Sequence, residues 1–484
     1  MTEMFTLLNN SYKFTKDFVK QQFSSRNGAR ESGVSGTYSE ERSSEPYETA
    51  IRPPQLNYTI ENVMIKAMFA GRTMGDVSPI VNIKDVVVIC DGTIYNSKRL
   101  FEELEIEPET DCDYEIIAHL YLRYGIETTL QLLDGIFVFA LLDHRLVTPT
   151  GELDSTMYIA RDPYGVKPLY LLRPNSKNIM QEYNKSDGDI YAISSNVEML
   201  KGFEQEMNLI DHPENDLLMG KGKPKKSFYV IDSISPGTYS VFEQKFRVMA
   251  SWRFIKHQIP YHFCQPGTAI VKNDDKIVLN RLVSEAVIKR IRDDKPTSII
   301  LTGKYEGFIT AAVASNKLDQ SLNTFTWTDT SIGEPDIQRV ADYLKTNHIV
   351  VSITNDDLDS EKENICPSMD LAFWFMAKKI ASVAPNSMVF LEIGIDQFLG
   401  SGESKDDECH LDFHYRLGNY LKSAGPDRLI QISKIFWYHG LEVDMPWLDI
   451  SLTQHLVTYS RNYLFMFNPV GIYGNKLLPE ELFH

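Results

Sequence analysis

The chain has 484 residues, 43% of them hydrophobic, and a formal net charge of −17, enough for two or three domains with sizeable cores. That acidity argues against a broad nucleic-acid or anionic-membrane surface. Cys90, Cys112, Cys264, Cys366 and Cys409 form an odd set with no C-x-x-C spacing. There is no signal-peptide pattern and no apolar run of about 18 residues, so a cytoplasmic protein in a reducing compartment is expected.

Residues 21–48 are polar and read as a long loop. From Ile60 the pattern turns β-like, and "DVVVICDGTIYN" predicts a buried strand running into a turn at Asp91-Gly92. "DYEIIAHLYLRYG" has helical spacing and stops on Gly125. "IFVFALLDH" with "TMYIARDPYG", and "VKPLYLL" with "DIYAISS", predict two antiparallel pairs. A polar stretch ending at Lys226 precedes a short hairpin, "SISPGTYSVF" and "FRVMASWRF".

After Lys276 the rhythm changes. "IVLNRLVSEAVIKRI" predicts an amphipathic helix, "TSII" a strand, and "FITAAVA" a helix of small apolar residues. "NTFTWT" and "HIVVSIT" flank the helical "PDIQRVADYL", and "SMDLAFWFMAKKIASV" leads to the strand "SMVFLEIG". Strands alternating with helices imply a parallel, doubly wound sheet whose carboxyl edge binds ligands. The turns 302–307 and 392–397 lie at that edge.

This order of parts resembles the glutamine-dependent asparagine synthetases. The anchors are "DGTIYN" (91–96) against the family's N-G-E-I-Y-N, "LLDGIFVFALLD" (132–143), "RDPYGVKPLY" (161–170), "TFTW" (324–327), "HGLEVDMPWLD" (439–449) and "NKLLPEEL" (475–482). The resemblance implies a class II amidotransferase (glutaminase-like) domain over 1–215, connecting strands and linker over 216–270, and an asparagine-synthetase-like domain over 271–484. The fold it implies is an α+β Ntn-hydrolase-type sandwich of stacked antiparallel sheets, followed by an α/β doubly wound parallel-sheet domain of the ATP-pyrophosphatase type. The family reaction amidates aspartate with ammonia from glutamine, through ATP and Mg²⁺. Glutamine, aspartate and ATP are the implied partners, with a homodimer or larger protein assembly as a further option. Neither nucleic acid nor membrane is implied.

The family's glutaminase nucleophile is the residue exposed when the initiator Met leaves, activated by its own α-amine. Here it is Thr2, followed by Glu3 where the family has Gly. Thr2 is either an N-terminal nucleophile or an ordinary strand residue. The family's oxyanion hole, from Asn and Gly, falls on Asp91 and Gly92, and an ionised Asp accepts hydrogen bonds without donating any. Asp91 is therefore expected to repel a developing oxyanion. The Glu that would hold the substrate amine falls on Thr93. Arg72 matches the clamp for the glutamine carboxylate, or is a solvated surface arginine. Asp113 matches the remaining amine-holding carboxylate.

The family's S-G-G-x-D-S-S loop falls on Thr302, Gly303, Lys304, Tyr305, Glu306, Gly307 and Phe308. The resemblance places ATP against Leu301, Thr302, Gly303, Lys304, Glu306 and Gly394, and Mg²⁺ on Glu306 and Asp396. Lys304 adds a Cβ where phosphate needs close approach. Gly307 and Phe308 remove two hydroxyls, and Phe308 is expected to bring its ring to the helix start. The family's catalytic Glu falls on Ile393, which moves no proton. Glu392 is its neighbour, but adjacent strand residues point to opposite faces, so it is not expected to substitute. Asp444 stands where the family has Arg, a charge reversal.

His410 and His414, beside Cys409, have helical spacing that suits a metal or a solvated helix start. "FWFM" (373–376) reads as core packing. These changes, in two separate sites, predict an asparagine-synthetase-like pseudoenzyme with a binding, scaffolding or structural role. The alternative is a functioning glutamine-hydrolysing asparagine synthetase or a related amide-forming ligase.

Overall fold

The computed structural model describes residues 3–8, 55–61, 66–72, 80–147, 153–175, 190–211, 229–243, 247–253, 273–318, 322–327, 334–354, 370–394 and 424–456. The chain divides into two compact units, Met1–Ile255 and Lys256–His484.

The first unit holds twelve described strands in two sheets. One sheet combines β1 (Glu3–Leu8), β2 (Gln55–Glu61), β3 (Lys66–Arg72), β8 (Tyr170–Pro174), β9 (Tyr191–Ser194) and β10 (Tyr229–Ser233), in the order β10-β8-β9-β1-β3-β2. The other combines β4 (Ile80–Ile83), β5 (Val86–Ile94), β6 (Gly135–Val147), β7 (Leu153–Arg161), β11 (Thr238–Glu243) and β12 (Arg247–Arg253), in the order β12-β11-β7-β6-β5-β4. Neighbouring strands run antiparallel throughout.

Strand periodicity explains the layering. On β5, Val87 and Ile89 join Met4, Leu8, Val138, Ile159 and Ile193 in a core shared by both sheets. Their neighbours Val86, Val88 and Cys90 face outward, against helices α1 (Ser97–Leu104) and α2 (Glu115–Leu132). On the first sheet, Phe5 and Leu7 turn outward onto helix α3 (Val197–Asp211) through Met199, Leu200 and Phe203. The result is four layers: helices, sheet, sheet, helix. Both faces of β5 are covered, which is why its sequence is a continuous apolar run rather than an alternating one.

Three details differ from the sequence expectation. Strand β5 does not turn at Asp91-Gly92 but stays paired to Ile94↔Gly135. Gly92 permits this. Its φ is 154°, and a Cβ there would lie 2.6 Å from Phe137 Cα and overlap Ile136 O. Strands β10–β12, read from sequence as part of a connector, belong to the two sheets of the first unit. Buried Tyr229, Tyr239, Val241 and Phe242 fix them there. Helix α2 breaks at Gly125, where φ is 75°, and resumes to Leu132.

The second unit is built on a five-stranded sheet of β13 (Thr297–Ile300), β14 (Asn323–Trp327), β15 (Asn347–Val351), β16 (Met388–Phe390) and β17 (Glu442–Asp444), in the order β15-β14-β13-β16-β17. All its pairs are parallel. Helices α4 (Asn273–Ile288), α5 (Tyr305–Lys317) and α6 (Glu334–Leu344) pack on β13 and β16 through Val287, Ala311, Val340, Ile299 and Phe390. Helices α7 (Leu371–Val383) and α8 (Ala424–Tyr438) pack together, Phe373 on Phe436 at 6.0 Å. The last described helix is α9 (Ile450–Leu456). The aromatic run at 373–376 is core, as its helical spacing suggested. Since β13 and β16 are parallel neighbours, the turns after Ile300 and Phe390 emerge on one edge. Among the described residues no helix is long and apolar enough to cross a membrane.

Candidate functional site

The first unit gathers its polar residues at the end of β5. Asp91 has the strand parity of Val87 and Ile89, which puts it on the inter-sheet face, 1% exposed. A carboxylate in that setting needs a partner. It has one: Lys167 Nζ donates to Asp91 Oδ1 at 2.9 Å, and the lysine side chain is 13% exposed.

The loop after β7 is built to deliver that lysine. Asp162 is fully buried and accepts backbone N–H bonds from Tyr164 (3.1 Å), Val166 (3.1 Å) and Lys167 (3.0 Å). Burial pushes its carboxyl up, opposed by Arg161 and those three donors. The Arg161 guanidinium, also buried, donates to the carbonyls of Lys167 (2.7 Å), Gly165 (2.9 Å) and Ile234 (2.5 Å). Arg161 and Asp162 are thus positioning residues for Lys167.

The Asp91–Lys167 pair changes the expectation for Asp91. The position is not a lone negative charge facing an oxyanion, because an ammonium is bonded to it. What the sequence change removes is a neutral donor. Asp113 Oδ2 accepts the Ile94 N–H at 2.6 Å, tying the helix-side loop to the end of β5. Thr93 pairs with Ile136 on β6 and is half-buried. Arg72 closes β3 opposite Glu3 of β1. Thr2 lies outside the described residues. Cys90 is no substitute nucleophile: burial first, then Asp113 and Asp91, push its thiol well above the ordinary range.

In the second unit the loop 301–304 joins β13 to α5, whose first turn holds 305–307, and Gly303 has φ 87°. The contents of this stretch differ from the sequence expectation in three ways. Leu301 is fully buried in the core and its N–H is held by Phe325 O at 2.7 Å, so neither group faces a ligand. Phe308 likewise turns inward among Ile299, Ala311 and Phe390. Its ring does not cover the helix start, because that position of the first turn faces the sheet. Third, Glu392 is in the site. Strand β16 ends at Phe390, so strand alternation no longer governs position 392.

Glu392 Oε1 accepts the Thr302 N–H at 2.9 Å and Oε2 accepts Thr302 Oγ1 at 2.7 Å. A Cβ on Gly307 would lie 2.8 Å from Glu392 Cδ and overlap Oε1. Gly307 is therefore the residue that makes room for this carboxyl. Burial, with the Glu306 charge adding and Thr302 and Lys304 opposing, pushes Glu392 up to about 8. The loop keeps the strand, turn and helix start of an anion site, yet a side-chain carboxyl already fills it. As they stand, these residues do not fit a polyphosphate.

Glu306 is 7% exposed, and among the described residues no group of three metal-ligating side chains forms. Asp396, and the His410/His414 pair, lie outside the described residues. Gly394 follows Glu392 with φ 97°, backed by Leu448. Asp444 is no gap in a phosphate site: its Oδ1 accepts Arg290 Nε at 2.9 Å. Arg290 also reaches Asp449 Oδ2 at 2.9 Å, and Lys289 pairs with the same carboxylate.

Sequence reasoning missed Lys167 and set Glu392 aside. The signal for the first was an acid on the buried parity of β5, which demands a cation. The signal for the second was Gly307 in the first turn of a helix, vacant where a side chain is usual.

Comparison with known proteins agrees with this layout. Residues 68–181 match the family described as a glutamine amidotransferase domain. The chain is 24% identical over 446 residues to the asparagine synthetase [glutamine-hydrolyzing] of Homo sapiens, covering 82% of this chain and 70% of that protein. The Rattus norvegicus counterpart is 23% identical over the same span. Asparagine synthetase [glutamine-hydrolyzing] 2 of Arabidopsis thaliana is 28% identical over 406 residues, 78% of this chain and 60% of that protein. The first unit thus carries a glutamine-amidotransferase-like region. The chain as a whole is similar to glutamine-hydrolyzing asparagine synthetases, over 82% of its length for the Homo sapiens protein.

Proposed function

We propose that this chain is an asparagine-synthetase-like pseudoenzyme, with a binding, scaffolding or structural role in place of turnover. In this reading the first unit is a glutaminase-like domain of the Ntn-hydrolase type, extended by β10–β12. The second is an ATP-pyrophosphatase-type domain whose ligands would have been ATP, Mg²⁺ and aspartate.

The observation that carries the reading is the Glu392 carboxyl on Thr302. A carboxyl of the protein's own occupies the loop where the family relationship would place phosphate. Ile393 takes the position of the family's catalytic carboxylate, which removes a second requirement. At the other site, Asp91 supplies no neutral donor, and one such donor is worth about 2.7–4 kcal/mol to an oxyanion transition state. Losses of that size at several positions lower the rate by many orders of magnitude.

The test bypasses the glutaminase. The full chain is given aspartate, ammonia, ATP and Mg²⁺, and asparagine and AMP are measured. The expected result is no product above a no-protein control. Product formed well above that control overturns the reading and favours a functioning amide-forming ligase.

A further inference from the structure

Glu392 lies 90 residues from Thr302 in sequence, on the turn after β16, yet uses both carboxyl oxygens on the backbone and side chain of that one residue. Two donors from one turn at a helix start is the pattern that seats a pair of phosphate oxygens. Among the described residues, the charged groups facing the carboxyl are Lys304 and Glu306. Gly307 leaves the space the carboxyl fills, and any side chain there would collide with it.

We infer that Glu392 is an autoinhibitory plug: it occupies the oxyanion seat at Thr302 and excludes diphosphate-bearing ligands until it is withdrawn. The inference rests on reading the second unit as a relative that does not turn over, and adds how its anion site is kept shut. The seat and the plug compete directly, since the carboxyl and a phosphate need the same N–H and O–H donors. They also repel when both are ionised.

Inorganic pyrophosphate is the probe, titrated calorimetrically into the full chain at a constant pH of about 9, above the value of about 8 to which burial raises Glu392, so that the carboxyl is ionised. Wild type, Glu392→Gln and Glu392→Ala are compared, each checked for fold by circular dichroism. The wild type is expected to show no saturable binding. Glu392→Ala is expected to bind at least about tenfold more tightly than the wild type, and Glu392→Gln, which keeps the volume without the charge, to fall between. Adding Thr302→Val to Glu392→Ala, which removes the O–H donor and leaves the N–H, should reduce the gain. Wild-type binding within about twofold of Glu392→Ala overturns the inference. So does a folded Glu392→Ala that gains no binding, for then the contact is only a staple between two turns. Should Glu392→Ala fail to fold, Glu392→Gln decides: a gain over wild type supports the plug and no gain overturns it. Synthetase turnover is measured separately. Pyrophosphate binding by a wild type that makes no AMP defeats the plug alone, and AMP formation defeats the pseudoenzyme reading.

Discussion

Lys167 and Asp91 are 76 residues apart in sequence and joined by a 2.9 Å ion pair between two sheets. Both are largely desolvated, so each depends on the other. Removing one partner of a buried pair leaves an uncompensated charge and costs about 3–5 kcal/mol. Lys167→Met and Asp91→Asn are each expected to destabilise the first unit by that amount in urea unfolding. The Asp91→Asn/Lys167→Met double variant should lose clearly less than the sum, because neither charge is then stranded. Single variants within about 0.5 kcal/mol of the wild type would show that the pair is solvated, as surface substitutions are.

The same pair bears on glutamine hydrolysis. No ammonia is expected from the unaltered protein, since position 91 supplies no neutral donor. Replacing Thr2 by Cys and Asp91 by Asn restores the family's residue types. Those two changes also take the carboxylate away from the buried Lys167 ammonium. The two-residue variant is therefore expected to be less stable than wild type, and ammonia to require a third change, Lys167→Met, as well. A coupled ammonia assay on the wild type, the Asp91→Asn variant, the two-residue variant and the three-residue variant checks this. Ready ammonia release by the unaltered chain contradicts it.

Glu392 makes stability depend on pH. Its carboxyl is raised from an ordinary 4.5 to about 8 by burial first, with the Glu306 charge adding to it. Between those values the folded protein holds a proton that the unfolded chain releases, so this group's contribution falls as pH rises through the window. Below about pH 4.5 the contribution is fully present. Glu392→Gln has no such proton to lose. Wild-type Tm should therefore drop between pH 6 and 8.5 by more than that of Glu392→Gln. The difference should exceed about 2 °C, which is about 1 kcal/mol for a domain of this size. Parallel Tm curves for the two proteins would place the carboxyl in water.

Much of the fold was legible because its signals were local. Val86 to Cys90 are apolar on both parities, and β13 to β16 alternate with helices of clear period. The strands around Tyr239 were harder to assign, because which sheet a hairpin joins depends on partners about 80 residues away, such as Ala160. The sites were legible as positions but not as contacts. Asp91, Thr302 and Gly303 could be aligned by motif. That Lys167 reaches the first, or that Glu392 turns back onto the second, depends on tertiary packing that no spacing rule carries. Glu392 was misjudged for a definite reason: alternation was applied beyond Phe390, where β16 has already ended.

Position 444 shows how far a motif repair can mislead. By resemblance the family has Arg there, and Asp444→Arg would restore the pattern. In this chain Asp444 is 2% exposed and accepts from Arg290, which is equally buried. Arg290 also donates to Asp449 and to Ala286 O at 2.7 Å. Burial raises the Asp449 carboxyl, but Arg290 and Lys289 more than offset this and hold it below its ordinary range. Asp444→Arg would place two guanidiniums against one remaining carboxylate. It is expected to destabilise the second unit by about 3–5 kcal/mol, and Arg290→Met to cost a similar amount. Combining Asp444→Arg with Arg290→Met restores one cation to the cluster and should recover part of the loss. Urea unfolding of the three variants measures it. A stable Asp444→Arg with wild-type unfolding would mean that Arg290 can leave the cluster, and that the pair is not what holds β17 to the end of α4.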